Sequence, residues 1–453
     1  MPLLSELLGD AAVEAFFDDD AQLRGLLDFE AALARAQAAT AVIPAAAGET
    51  ITRVCAATRF DETARKELAA GAARSGNLAI PVVDALTRAV AAVDPEAARW
   101  VHWGATSQDA IDTGLVLQLR RATALLDDRL ANLERSLATL VRAHRHTVLA
   151  GRTWLQHALP TSFGLKVAGW LDAVHRDRTR LARAAQGART LQLGGAVGTL
   201  ASLGDSGPAV VHALARELDL ATAAITWHAA RDRLVDVGCA AGMLGGTLGK
   251  IARDVSLLLQ TDVAELVLAT EPGEGGSSTM PQKKNPVACA VALHAATRAP
   301  GLVATLLAAM PQEHERGLGG WHAEWETLPE LLRLVAGSLG HLAAMIPRLE
   351  VDPARMKTNL ESTRGLVMAE AVSMELAKVK GKAAAHHQVA AAARRAGQEG
   401  ISLREALLRE APEALPPETL DRVTDPQHYL GSAQAQIDAV LAAVFARKED
   451  QDG

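Results

Sequence analysis

Apolar residues in this chain recur every three or four positions over stretches far longer than an ordinary globular helix. Leu119, Ala122, Leu126, Leu130, Leu133, Leu137 and Leu140 make one such stripe. Leu234, Val237, Ala241, Leu244, Leu248, Ile251, Val255 and Leu258 make a second. Spacing of this kind keeps one helix seam against a partner helix turn after turn. A helix of about 35 residues, at roughly 1.5 Å of rise each, spans about 50 Å. The stripes therefore predict a bundle of long helices, with seams that one chain would leave partly uncovered, as in an oligomer. The second stripe also holds Gly242, Gly245, Gly246 and Gly249. Each glycine costs about 1 kcal/mol inside a helix, and close helix–helix approach is the expected compensation. Asp262 and Glu265 follow it, so the seam is expected to run toward a polar site or solvent.

On either side the pattern shortens. Before Asp109 it breaks at Ile43-Pro44, Ile80-Pro81 and Asp94-Pro95; after Glu350 it breaks at Asp352-Pro353, Gly381, Gly400, Leu415-Pro416-Pro417 and Asp425-Pro426. The expectation is an all-α chain in three parts. These are an N-terminal helical domain (1–108), a central long-helix bundle (109–349) with a mobile loop near 271–286, and a C-terminal helical domain (350–453). Ala and Leu dominate while aromatics are 3%, which favours helix because these side chains lose little entropy there.

A net charge of -7 argues against nucleic acid and anionic membranes as partners. Cys55, Cys239 and Cys289 form neither a disulfide framework nor a zinc pattern, which suits a reducing cytoplasm. Residues Met1 to Asp10 lack the basic region of a signal peptide, and no uninterrupted apolar stretch is expected to span a bilayer. Gly204-Asp205-Ser206-Gly207-Pro208 resembles a protease nucleophile turn, but no strand pattern surrounds it. A helix start, with Asp205 or Ser206 as N-cap and Pro208 in the first turn, fits better. His314-Glu315 would open a zinc helix, but Leu318 stands where the second ligand belongs. His386-His387 are expected at the surface, and Gly275-Gly276 are not followed by the Lys-Ser/Thr of a P-loop. Neither a metal nor a nucleotide cofactor is expected.

Four segments carry chemistry. Gly273 to Pro286 is a glycine- and hydroxyl-rich connection whose amides, hydroxyls and ammonium groups could close on an anion. His102 to Thr113 has the character of a helix N-terminus, with Thr106, Ser107 and Asp109 able to cap it. Gly151 to Thr161 and Gln312 to Glu326 complete the set, the latter with Trp321 and Trp325, which would be wasted on solvent. Gly276 to Pro286 resembles the GSSxMPxKxNP signature of the fumarase/aspartase superfamily at every fixed position. The second segment is similar to a GxTSxDxxDT stretch, and the third to GRTHxQxAxPxT with Trp154 where the family has a histidine. The fourth resembles the HERGxGGWxxEW stretch of the bacterial carboxymuconate cycloisomerases.

The resemblance implies a catalytic group of Ser277 (the proton-transferring base), Lys283 and Arg316. It implies substrate binding by His102, Thr106, Ser107, Gln108, Trp154, Gln156 and Asn285, without metal or cofactor. It implies a small polycarboxylate substrate and a homotetramer that shares the bundle and composes each site from several subunits. The superfamily's histidine helps protonate the leaving group. An amine leaving group calls for a general acid, whereas a carboxylate, with a pKa of roughly 4, does not. Trp154 thus points to a tricarboxylate cycloisomerase, with an adenylosuccinate-type lyase or a silent structural relative as the alternatives. Trp103, Trp154, Trp321 and Trp325 all fall in or beside the four segments, as a pocket for a flat conjugated triacid would require.

Overall fold

The structure, a computed structural model, describes residues 4–269, 273–410 and 413–446. The chain runs through α1 (Asp19–Ala39), α2 (Ala45–Ala57) and the long α3 (Ser107–Ala143). A hairpin of β1 (Val148–Thr153) and β2 (Gln156–Ser162) comes next, then α4 (Phe163–Ala188), α5 (Gly207–Leu218) and α6 (Asp232–Leu259). Strand β3 (Leu266–Leu268), α7 (Val287–Ala309), α8 (Gly320–Met345) and β4 (Leu349–Val351) lead to α9 (Ala369–Lys380) and α10 (Lys382–Glu399). Helix dominates, as expected. Contacts divide the chain into two compact units. One comprises Met1–Arg129, Asp177–Gly246 and His294–Gly340; the other comprises Leu130–Arg176, Thr247–Leu293 and His341–Gly453. Every division falls inside α3, α4, α6, α7 or α8.

In the first unit, α1 starts at Asp18, whose carboxylate accepts the Ala21 N–H. This satisfies one of the donors a helix start leaves open. Leu26, Phe29, Leu33, Ile51, Leu86 and Leu214 lie in its core. Gly242 on α6 has the expected reason: a Cβ there would sit 2.5 Å from Val303 Cγ2 of α7. Gly246 faces open space, so close approach does not explain it. In the second unit, β3 pairs antiparallel with β4, and α9 turns into α10 at Gly381 around a core of Leu376, Val389, Leu403 and Leu407.

Two expectations need correction, the uncovered seams and the side-chain cap of α5. Both heptad seams are covered within the chain: every stripe residue but the half-buried Leu140 is at most 5% exposed. The uncovered surface is on α7 instead, where Ala290, Thr297, Gly301, Ala304 and Ala308 are exposed. Helices α6 and α7 are long and apolar enough to cross a bilayer by length and composition, yet each is interrupted by charge, Lys250, Arg253 and Asp254 in α6 and Arg298 in α7; α6 is a core helix, 61% buried over its apolar window. At Gly204–Ser206 the chain makes a 3₁₀ turn; Ser206 stands at the N-cap position of α5 and Pro208 in its first turn, as expected, but the Ser206 side chain makes no cap bond. The third motif, which the sequence pattern assigns to no element, is a β-hairpin. Arg152 pairs with His157 and Thr153 with Gln156, leaving Trp154 and Leu155 as a two-residue turn with φ of 51° and 62°. Consecutive left-handed residues are the type I′ geometry that usually selects Asn-Gly. Here it holds two bulky side chains, and Trp154 is 97% exposed.

Candidate active site

In the first unit the site grows from the start of α3. Asp109, the third residue of that helix, reaches back to accept the Thr106 N–H at 3.0 Å, the return half of a capping box. The same carboxylate accepts the Gly194 and Gly195 N–H groups, each at 2.9 Å, and lies 2.7 Å from His228 Nε2. Beside it, Gln108 is fully buried. Its Nε2 donates to the His228 carbonyl at 2.9 Å, and its Oε1 accepts from Arg316 Nε at 3.0 Å. Both ends of the Gln108 amide are thus occupied by protein partners, one of them Arg316. Arg316 Nη2 donates to the Ala196 carbonyl at 3.1 Å, and Nη1 has no acceptor among the described residues. Thr106 and Ser107 are half-buried at the helix start.

Beneath this layer Arg231 lies between two carboxylates. Its Nη1 is 2.7 Å from Asp112 and its Nη2 is 2.6 Å from Glu324, with the guanidinium 5.1 Å above the Trp227 ring. Burial pushes the Glu324 carboxyl above its usual range, with Asp112 adding to the effect and Arg231 opposing it. Trp321 is buried and donates to Asp112 at 3.0 Å, so it supports this ion cluster rather than lining a pocket. Trp325 packs on it edge to face at 4.8 Å. His102 Nδ1 lies 2.6 Å from Glu30 Oε1 of α1. Burial alone would lower the His102 pKa, but the Glu30 charge and hydrogen bond outweigh it and raise it.

That pair has a pH signature. A histidine whose folded pKa is raised stabilises the protein fully below its unfolded value near 6.5, and the contribution fades as pH rises through the folded value. Urea midpoints should therefore fall for the parent as pH climbs above 6.5, and Glu30→Gln should remove that component. An unchanged pH slope in the variant would show that the pair does not titrate this way.

In the second unit the signature segment is a loop closed at its base. Gly275 O accepts the Asn285 N–H at 2.8 Å, and Asn285 Nδ2 reaches the Gly276 carbonyl at 3.4 Å. Gly275 has a φ of +65°, and a Cβ there would meet the Asn285 oxygen at 2.5 Å, so only glycine closes the loop. Glu274 is held by a two-pronged bond from Arg348 at 2.6 and 2.8 Å. At the crown, Ser277 Oγ accepts the Thr279 and Met280 N–H groups at 3.3 and 3.1 Å. Lys283 is exposed on the same loop. The hairpin places Trp154 and Gln156 at and beside its exposed tip. One residue back from the last pair before the turn, Arg152 grips the fully buried Glu265 at 2.7 and 2.9 Å, so the polar end of the second stripe is an ion pair. His157, opposite Arg152, has its pKa lowered by burial and by that guanidinium. It stays in the strand, away from the turn position where the family's histidine would stand.

Several of these residues escaped the sequence reading. Asp109 and Asp112 are the two aspartates of the second motif, where from sequence Asp109 is only a possible cap and Asp112 has no role. His228, Arg231 and Glu30 lie outside the four motifs and gain their roles from partners 72 to 119 positions away. Among the described residues no cluster of His, Cys, Asp and Glu could hold a metal ion.

Comparison with known proteins places this arrangement among relatives. Residues 9–301 match the family described as Lyase, and residues 365–440 match the adenylosuccinate lyase C-terminus. A 3-carboxy-cis,cis-muconate cycloisomerase of Pseudomonas aeruginosa is 54% identical over 95% of this chain and 94% of its own length. A nitrosuccinate lyase of Streptomyces davaonensis is 40% identical over 97% of the chain and 94% of its own length. The crystal structure of the 3-carboxy-cis,cis-muconate lactonizing enzyme from Pseudomonas putida superposes with a TM-score of 0.92 at 46% identity. It covers 98% of this chain and 99% of that one.

Proposed function

The chain belongs to the fumarase/aspartase superfamily of lyases, and from that membership we propose that it is a cycloisomerase converting 3-carboxy-cis,cis-muconate to 4-carboxymuconolactone. In this reading one terminal carboxylate of the substrate adds to the alkene carbon that bears the middle carboxyl. The π pair moves into the other terminal carboxylate, giving an aci-carboxylate, and a proton then arrives at the carbon beside it. The carbon–oxygen bond formed is internal, so no water or cofactor enters the balance. The enzyme would work in the cytoplasm on a small tricarboxylate.

The observation that carries the reading is Trp154. An indole N–H is far too weak an acid to protonate a leaving amine, and a carboxylate leaving in the reverse direction needs no such proton. Ser277 passes the proton to carbon, and its two amide donors favour the alkoxide left behind. Lys283 and Arg316 offset the growing charge, the term that usually dominates such catalysis. Asn285, Thr106, Ser107, His102 and Gln156 engage the carboxylates, Gln108 acts through Arg316, and Trp154 covers the conjugated face.

The test is turnover: loss of diene absorbance on adding 3-carboxy-cis,cis-muconate. Release of fumarate from adenylosuccinate without that loss would make the protein a C–N lyase. Elimination from nitrosuccinate alone would assign it a different anionic leaving group. For Trp154→His we expect a loss of roughly ten- to a hundredfold in kcat/KM, because a large apolar surface is replaced by a polar ring. A variant equal to the parent would remove Trp154 from the account.

The bare apolar face of α7 and the exposed hairpin tip support a homotetramer in which several subunits compose each site. Sedimentation at micromolar protein should find four copies, and an active monomer there would refute the assembly.

A further inference from the structure

We propose that Asp109 is a positioning residue that aims Arg316 at the substrate; the proposal rests on the reading of Arg316 as a substrate cation. Arg316 has two protein acceptors, Gln108 Oε1 and the Ala196 carbonyl, and both trace back to Asp109. Along the first route, the Gln108 amide is oriented by its bond to the His228 carbonyl, and the His228 ring is fixed on Asp109 Oδ1 at 2.7 Å. Along the second, Asp109 takes both N–H groups of Gly194-Gly195, the residues that deliver the Ala196 carbonyl. That segment has little freedom: a Cβ on Gly194 would fall 2.4 Å from Thr226 Oγ1 and 2.8 Å from His228 Cε1.

A helix cap alone would need one bond, to Thr106. Asp109 is instead fully buried and surrounded by donors: Thr106 N, Gly194 N, Gly195 N and His228 Nε2. With no exposed surface it cannot touch substrate, so its influence passes through the residues it holds. Asparagine would keep the shape but turn one acceptor into an N–H facing other N–H groups. At least one of the two routes to Arg316 would then open.

The experiment joins crystal structures to a double-mutant cycle. In Asp109→Asn the Arg316 guanidinium should leave Ala196 O or Gln108 Oε1, and kcat should fall about 100-fold, in the range of a lost transition-state donor. Combined with Arg316→Ala, Asp109→Asn should cost no more than about threefold further, because the two act as one unit. His228→Gln keeps an N–H for Asp109 and should stay within about fivefold of the parent, while His228→Leu should fall close to Asp109→Asn. The His228 pair supplies the same comparison if Asp109→Asn does not fold. Arg316 unmoved in the crystals, or losses that multiply in the double variant, would overturn the proposal. A parent protein without turnover on 3-carboxymuconate would refute the functional reading, and the position of Arg316 in the crystals would still decide this one.

Discussion

Replacing Arg231 by methionine should lower the unfolding free energy by about 3–5 kcal/mol, the range for stripping a buried ion cluster of one partner. Methionine is close in volume, so a cavity is not the cause. The loss comes from what stays behind. Asp112 and Glu324, each 1% exposed, would face one another without the guanidinium that now bonds both. Glu324 is already raised by burial and by Asp112 with Arg231 present. In the variant Glu324 would lose the guanidinium that now opposes its raised pKa, so the cost is greatest at neutral and high pH. It eases as pH falls through the raised folded value. Neutralising the rest of the cluster, as in Arg231→Met with Asp112→Asn and Glu324→Gln, should recover most of the loss. Urea midpoints at fixed protomer concentration provide the measurement. A single variant within 1 kcal/mol of the parent, on the scale of an exposed pair, would mean that water reaches the cluster.

The largest kinetic effect is expected at Ser277. Ser277→Ala should cut kcat by roughly 10²–10⁴, the range for a positioned proton-transfer group, with little change in KM. The hydroxyl sits on an exposed loop, and its two amide donors can turn to water once the oxygen is gone. Stability should therefore hold while turnover collapses. Lys283→Ala and Arg316→Ala should each lose about 10²–10³ in kcat/KM by removing charge stabilisation. The informative comparison is the pH profile. If Ser277→Ala keeps near-parent kcat while Lys283→Ala abolishes the basic limb, the proton belongs to Lys283.

The long helices and the signature loop were legible because each announces itself locally. A seven-member stripe such as Leu119 to Leu140 has one cheap solution, and Gly276 to Pro286 has residue types that no packing demand explains. The hairpin was not legible. Val148 to Ser162 lacks the Asn-Gly that normally marks such a turn, and Trp154-Leu155 argue against left-handed backbone on sterics. What covers the seams also lay beyond periodicity, which reveals an apolar face but not its occupant. Arg231 lies 119 positions from Asp112 and 93 from Glu324. A cluster joined over such separations exists only once the helices are folded, and so does the role of Asp109 behind Gln108. Trp321 misled in the opposite way: its place in a motif suggested substrate, and its indole N–H is engaged by Asp112.

The hairpin tip bears on how this protein could be improved. Two crowded residues held left-handed cost on the order of 1–3 kcal/mol each, and in the lone chain nothing repays Trp154 for its exposure. A laboratory selection on melting temperature would therefore reward Asn-Gly at 154–155, trading the strained pair for the turn's preferred residues. A selection on turnover would reject the same change. Directed evolution of a heat-tolerant version should hold these two codons fixed and seek its gains elsewhere.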